Sequence, residues 1–285
     1  MKLSLNLLAL AIFPMCSVSQ ARDFDAVKKS GKIKICYILW RGADTNKDQP
    51  SPYLEMAKEF SKHHKLKITL KEISWDDQFK DQNGQIDKKG SYSPAIFEKD
   101  KCDLLPNNLA PLEWRKKLMN ITPILASRRS IVVKKDRLDE FSTINDLKGK
   151  KTAVVPNTSY YKWIKETNAS ISNKKEKIKV EQVKKGGTLT KLLNEEVDFV
   201  VFGMGLALFS KVTVSKDIEI AFPVGKALYS SWGTKKNTPQ FKKAIHEFFN
   251  SERKKTDSKL NPIFKKYFGI DLNEYLSLQT IVASE

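Results

Sequence analysis

Apolar and polar positions follow two rhythms along this chain, and the order of those rhythms repeats. "GKIKICYILW" is β-branched and apolar and predicts a strand over about 32–40. A polar loop, "RGADTNKDQPS", follows. In "PYLEMAKEFSKHH" the apolar residues Tyr53, Leu54, Met56, Ala57 and Phe60 share one face at helical spacing, with Ser51 as cap and Pro52 in the first turn. "LKITLKEISW" alternates and predicts a second strand, so strand, helix and strand suggest a parallel βαβ unit. "DQNGQIDKKGSYS" is a polar insertion, "SPAIFEK" a short helix and "CDLLPNN" a third strand. Pro111 then opens a helix that carries Arg115 in its first turns.

After Pro123 the pattern starts again. "RSIVVKKD" is a strand, and "TINDLKGKKTAVV" a short helix, a turn and a strand. "TSYYKWIKET" is a helix capped by Thr158 or Ser159. "IKVEQV" is a strand, "TLTKLLNEE" a helix capped by Thr188, and "VDFVVFGMG" a buried strand that "IEIAFPV" follows as another. "TPQFKKAIHEFFNSER" and "SKLNPIFKKYFG" are two closing helices. The chain is therefore α/β, with two units of similar build.

The start, "MKLSLNLLALAIFPMCSVSQARD", has a different character. A lysine precedes a short apolar run, and Ser19-Gln20-Ala21 offers small residues at the positions a signal peptidase reads. Residues 1–21 are expected to be a cleaved signal peptide and the mature protein to be periplasmic. A lipid anchor on Cys16 is the weaker rival, because Pro14 and Met15 stand where small residues are wanted. The formal net charge is +18, but the lysines are scattered, so no nucleic-acid stripe is formed and no nucleic-acid partner is expected. Of three cysteines, Cys36 and Cys102 remain after cleavage, and an oxidising compartment permits them one disulfide.

The chemistry-bearing motifs of enzymes are missing. His63 and His64 are helix neighbours that point about 100° apart, a poor metal pair. There is no His-Glu-x-x-His, Cys-x-x-Cys, G-x-S-x-G or P-loop, and "KKGGT" reads as a turn into a helix. No cofactor and no metal is expected. In open parallel sheets ligands sit beyond the carboxyl ends of the strands. Those ends carry Trp40 and Arg41, Trp75, Asn107 and Asn108, then Asn157, Thr158, Ser159 and Tyr160, then Phe202 and Gly203. Amides, hydroxyls, aromatics and arginines grouped in this way suit a small polar, anionic molecule. A helix start at Thr158 and Ser159 also offers free N–H groups to an anion. The blander readings are core tryptophans, a plain turn at the asparagines, and an Arg115 paired with Glu113 or Asp103.

Five segments together resemble the family 3 periplasmic solute-binding proteins. They are "GKIKICYI", "CDLLPNNLAPLEWRKKLMNITP", "INDLKGKKTAVVPNTSYYKWI", "LLNEEVDFVVFG" and "FKKYFGIDLNEY", in the family's order and across nearly all of the mature chain. The resemblance implies a type II two-lobe fold with two hinge crossings. Lobe one would be 22–126 resumed at 227–285, lobe two 127–226, with crossings near 125–129 and 223–228. It implies a ligand held between the lobes for an ABC-type membrane permease, and a monomer. Arg115 would clamp a carboxylate. Asn107 and Asn108 would stand in for the usual serines or threonines, and Asn157, Thr158 and Ser159 would offer backbone and hydroxyl groups. Two departures matter: Gly203 occupies the position where amino-acid binders place an ammonium-holding Asp, and "LWRGADTNKDQPSPYLEMAKEF" replaces the usual first-lobe segment. The ligand is then an organic anion, or amino-acid-like or peptide-like.

The leading reading is binding without catalysis. The alternatives are an exported, dehydratase-like enzyme on the same fold, for which Asp76, Asp77 and Glu113 are candidate acids, and a sensor or interaction module. The implied fold also makes the first and third strands parallel neighbours. That brings Cys36 and Cys102 to the same height, either bonded or as two buried thiols.

Overall fold

The structure, a computed structural model, describes residues 22–41, 48–156, 158–184 and 186–280. The signal-peptide expectation and Asn157 lie outside the described residues. Helix α1 (Phe24–Ser30) starts at Asp23, whose carboxylate accepts from Phe24 N, and stops at Gly31 in the left-handed region. Strand β1 (Lys32–Tyr37) follows, then the short strands β2 (Trp40–Arg41) and β3 (Asp48–Gln49), which pair antiparallel. Helix α2 (Pro52–His63) begins as its sequence dictates: Ser51 Oγ accepts from Leu54 N, and Pro52 fills the first position, where a missing N–H costs nothing. Strand β4 (Lys67–Glu72) pairs in parallel with β1, in step from Lys32↔Lys67 to Tyr37↔Glu72.

The third predicted strand is reduced to two bridges, Ile35↔Leu104 and Leu105↔Gly233. Side chains replace the ladder on both sides of it. Asp103 Oδ2 accepts from Lys34 N, Asn107 Oδ1 accepts from Ile38 N, and Pro106 has no N–H to offer. Asp103 N and Leu104 N both donate to Lys34 O, so the segment enters irregularly. That irregularity removes the strict alternation that could have set the two cysteines on opposite faces. Cys36 and Cys102 are disulfide-bonded, with Cα atoms 5.7 Å apart. The neighbour geometry implied by the resemblance is thus present, and the two-thiol alternative is set aside.

Helix α3 (Glu113–Leu118) leads into β5 (Asn120–Lys134), a longer strand than its apolar run suggested. Then come β6 (Lys151–Val154), α4 (Ser159–Ser170), β7 (Lys179–Gln182), α5 (Gly187–Leu193), β8 (Phe199–Gly203), α6 (Met204–Thr213) and β9 (Ile218–Thr234). The five strands order β7-β6-β8-β5-β9. Strand β8 meets only the second half of β5, from Arg129 to Val132, whereas β9 pairs along its whole length, from Asn120↔Thr234 to Lys134↔Ile218. The first half of the β5–β9 pair thus runs on as a two-stranded ribbon. Gly233 exchanges backbone hydrogen bonds of 2.8 and 2.9 Å with Leu105, and Leu109 N donates to Ser231 O at 2.9 Å. A Cβ on Gly233 would come within 2.8 Å of Leu109 Cδ1, so only glycine permits this approach.

Helices α7 (Pro239–Arg253), α8 (Asn261–Phe268) and α9 (Leu272–Thr280) close the chain. They bring Phe241, Phe248, Phe249, Phe264, Phe268 and Tyr275 into one cluster with Phe24, Tyr53 and Phe60. A second cluster surrounds the disulfide, and two more lie on either side of the five-stranded sheet, one with Ile131 and Trp163, the other with Val132 and Phe202. Two local readings need correction. Thr188 lies inside α5 and caps nothing, because Gly186 takes φ +98° and starts the helix two residues earlier. Helix α6 stands where the sequence showed only the end of an apolar strand.

Candidate functional site

Arg115 is held in a cage. It sits in the first turn of α3, is only 8% exposed, and donates from Nη1 to Ala110 O at 3.2 Å. Its guanidinium carbon lies 5.3 Å from the ring centre of Trp75, 5.0 Å from Phe79 and 5.1 Å from Trp114. Aromatic faces attract a cation and fix the plane of the fork. Burial pulls its pKa down from 12.5 to about 10, so it remains charged at neutral pH. Its Nε is sealed from water without an acceptor. Neither acid weighed as a partner serves it. Glu113 pairs with Lys116 at 2.7 Å, and Asp103 lies 3.7 Å from Arg22. Among the described residues no ion pair neutralises Arg115.

The two asparagines beside it differ. Asn108 is half-buried and takes φ +52°, a conformation asparagine tolerates better than most residues. Asn107 is 4% exposed, and its amide is committed inward. It donates to Cys36 O at 3.2 Å and to Gln78 Oε1 at 3.3 Å, and accepts from Ile38 N at 3.1 Å. Asn107 thus ties the segment to β1 and to Gln78. Trp75 is half-buried against Phe79 and Arg115. Trp40 and Arg41 form β2, and their side chains lie outside the described residues.

A second group gathers at the carboxyl ends of β6 and β8. Thr158 is the cap of α4, its Oγ1 accepting from Tyr161 N at 3.2 Å. Ser159 and Tyr160 open the helix, and Tyr160 Oη accepts from Gly203 N at 3.0 Å. Burial raises the Tyr160 pKa, so this phenol stays protonated. A Cβ on Gly203 would meet Tyr160 Oη at 3.3 Å. Phe202 is 7% exposed and belongs to the sheet core. Arg129, opposite Gly203 in the β5–β8 pairing, was hidden in the sequence as one polar position of a strand. Near the ribbon, Tyr53 Oη and Ser230 Oγ are hydrogen-bonded at 2.9 Å. A Cβ on Gly205 would meet the hydroxyls of Tyr53 and Tyr275 at 3.4 and 3.5 Å.

Two of the three candidate acids, Asp77 and Glu113, are poorly placed for acid catalysis. The Lys80 and Ser74 hydrogen bonds hold Asp77 down at about 2, and the Glu113 side chain is 85% exposed. Among the described residues no cluster of three His, Cys, Asp or Glu could hold a metal ion. A hollow between Lys134, Lys135, Asp136 and Asp217 lies where β5 ends and β9 begins, at the opposite end of that pair from Leu109 and Ala110.

No protein-family model matches the chain. It is 24% identical over 270 residues, 90% of each chain, to the L-cystine-binding protein TcyA of Bacillus subtilis (strain 168). Its structure matches that of the ancestral amino acid-binding protein AncCDT-1, a precursor of cyclohexadienyl dehydratase, with TM-score 0.61 and 17% identity over 86% of this chain and 98% of that one. It also matches the amino acid ABC transporter substrate-binding protein AbpA from Streptococcus pneumoniae, bound to L-arginine, with TM-score 0.60 and 18% identity over the same shares. The fold is the two-lobe, type II architecture that the sequence resemblance implied.

Proposed function

We propose that this chain, a divergent relative of the family 3 solute-binding proteins, captures a small, polar, carboxylate-bearing solute between its lobes and presents it to an ABC-type permease. The observation that carries this reading is Arg115: a buried, charged guanidinium, fixed by three aromatic rings, with no acid among the described residues to neutralise it. Leaving a buried charge unpaired is costly, and a carboxylate docking on its fork would relieve that cost with two parallel hydrogen bonds.

In this reading residues 22–126 and 227–285 form lobe one and 127–226 lobe two, and the β5–β9 ribbon carries the hinge. Asn108, Trp75 and Arg115 line one wall. Thr158, Ser159, Tyr160 and Gly203 line the other. Closure adds the second wall's contacts, so the ligand shifts the open–closed balance by the difference in its contacts between the two states. The protein acts as an exported monomer without catalysis. Binding without catalysis agrees with TcyA and AbpA, which are binding proteins. A thermal-shift screen of the mature protein against amino acids, peptides, organic acids and sugars tests it, with product analysis of every hit. A carboxylate hit recovered unchanged supports the binder. Turnover of a hit moves the assignment to the dehydratase-like alternative, and hits confined to neutral sugars overturn the carboxylate reading.

A further inference from the structure

The second wall has the wrong charge for an α-ammonium. At Gly203, where amino-acid binders carry an acid, a side chain has little room: its Cβ would meet Tyr160 Oη at 3.3 Å, and that hydroxyl already takes the Gly203 N–H. What the wall presents is Arg129. It faces Gly203 across β5 and β8 and Val224 across β5 and β9. Its Nη1 lies 3.0 Å from the point where a Cβ on Gly225 would be, a point 3.2 Å from Trp163 Cδ1, so the bare backbone of Gly225 leaves the room that the guanidinium and the Trp163 indole both border. Its Nε is buried without an acceptor. The acid that bears on it is Glu166 of α4, which already lies 3.6 Å from Lys162. Among the described residues no ion pair neutralises Arg129.

Arg115 touches Ala110, which adjoins Leu109, and Leu109 bonds to β9 at Ser231. Ser231 is level with Pro123 of β5. Arg129 is six residues further along, roughly 20 Å of extended strand, a gap that two long arginine side chains would narrow if they reach toward one ligand. We propose that Arg129 is a second anion-binding group and that the physiological solute carries two acidic groups, one for Arg115 and one for Arg129, with no requirement for an α-ammonium. This rests on the carboxylate-clamp reading above and names the class of ligand within it.

The test is calorimetric titration of the mature protein, its Arg129→Gln and its Arg129→Lys variants. The probes are the dicarboxylates succinate, glutarate and adipate, the monocarboxylate butyrate, L-arginine and L-cystine. In the wild type the best dicarboxylate should bind at least about tenfold more tightly than butyrate, the scale of one charge-assisted hydrogen bond. Arg129→Gln should abolish that preference, and Arg129→Lys, which keeps the charge, should retain part of it. Equal binding of mono- and dicarboxylates, or a preference that survives Arg129→Gln, overturns the Arg129 assignment alone. L-arginine or L-cystine binding more tightly than every dicarboxylate also overturns it. If no carboxylate binds, the Arg115 reading falls, and this one with it.

Discussion

Opening the Cys36–Cys102 bond should destabilise the protein substantially without changing its fold. The bond closes a sequence separation of 66 residues. In the chain-entropy account a loop of that length, set free in the unfolded chain, is worth about 4 kcal/mol at 25 °C. Little in the native state offsets this. Both side chains are buried, at 0% and 4% exposure, in a cluster with Ile38, Ile73, Phe97 and Leu105, where two thiols can pack as small hydrophobes. The backbone around them keeps its own ties, Cys36 N to Leu104 O at 3.0 Å and Asn107 to Cys36 O. Urea unfolding of oxidised and reduced protein, followed by tryptophan fluorescence and circular dichroism, should show a loss approaching 4 kcal/mol with native spectra at zero denaturant. The Cys36→Ala/Cys102→Ala variant should behave like the reduced protein, and the denatured, unreduced mature chain should contain no free thiol. Two free thiols in that sample, or a stability change within about 0.5 kcal/mol, the scatter of neutral surface substitutions, would refute the reasoning.

Two further outcomes follow from the geometry. Asn107→Ala removes the acceptor of Ile38 N and two further hydrogen bonds, so it should cost about 1–3 kcal/mol in urea unfolding; a neutral result would show that the tie is not structural. His64 Nε2 is buried without a partner among the rings of Phe24, Phe60 and His63, and burial, then the charges of His63 and Lys28, push its pKa from 6.5 down to about 4. The unfolded chain therefore takes up this proton first. The His64 contribution to stability is complete above pH 6.5 and is lost as pH falls toward 4. Across that window the wild type should lose more stability than His64→Phe as pH falls; parallel curves would contradict the assignment.

The local signals were the most legible. Ser51 and Pro52 start α2 where the sequence places them, because a cap and a fixed φ act over a few residues. Thr158 does the same for α4. The third strand misled because its ladder is made by the Asp103 and Asn107 side chains, which a sequence shows only as polar residues. Helix α6 was invisible because Met204, Gly205, Ala207, Leu208, Phe209 and Ser210 are all buried, which erases the one-sided pattern that marks a surface helix. Arg115 could be singled out from its place after a strand end, but its cage could not: Trp75, Phe79 and Trp114 are brought together from two distant segments. Arg129 gave no signal at all, since its meaning depends on what faces it across two strands.

The most direct test of the central claim is the affinity of the Arg115→Ala variant for the carboxylate solute found by the thermal-shift screen, measured by calorimetric titration beside the wild type. Loss of a charge-assisted pair on a buried guanidinium predicts a weakening of about 1.5–3 kcal/mol, roughly 10- to 150-fold. Arg115→Lys should recover little of it, because a point charge cannot form the planar double contact. Wild-type affinity in a folded Arg115→Ala protein would contradict the account.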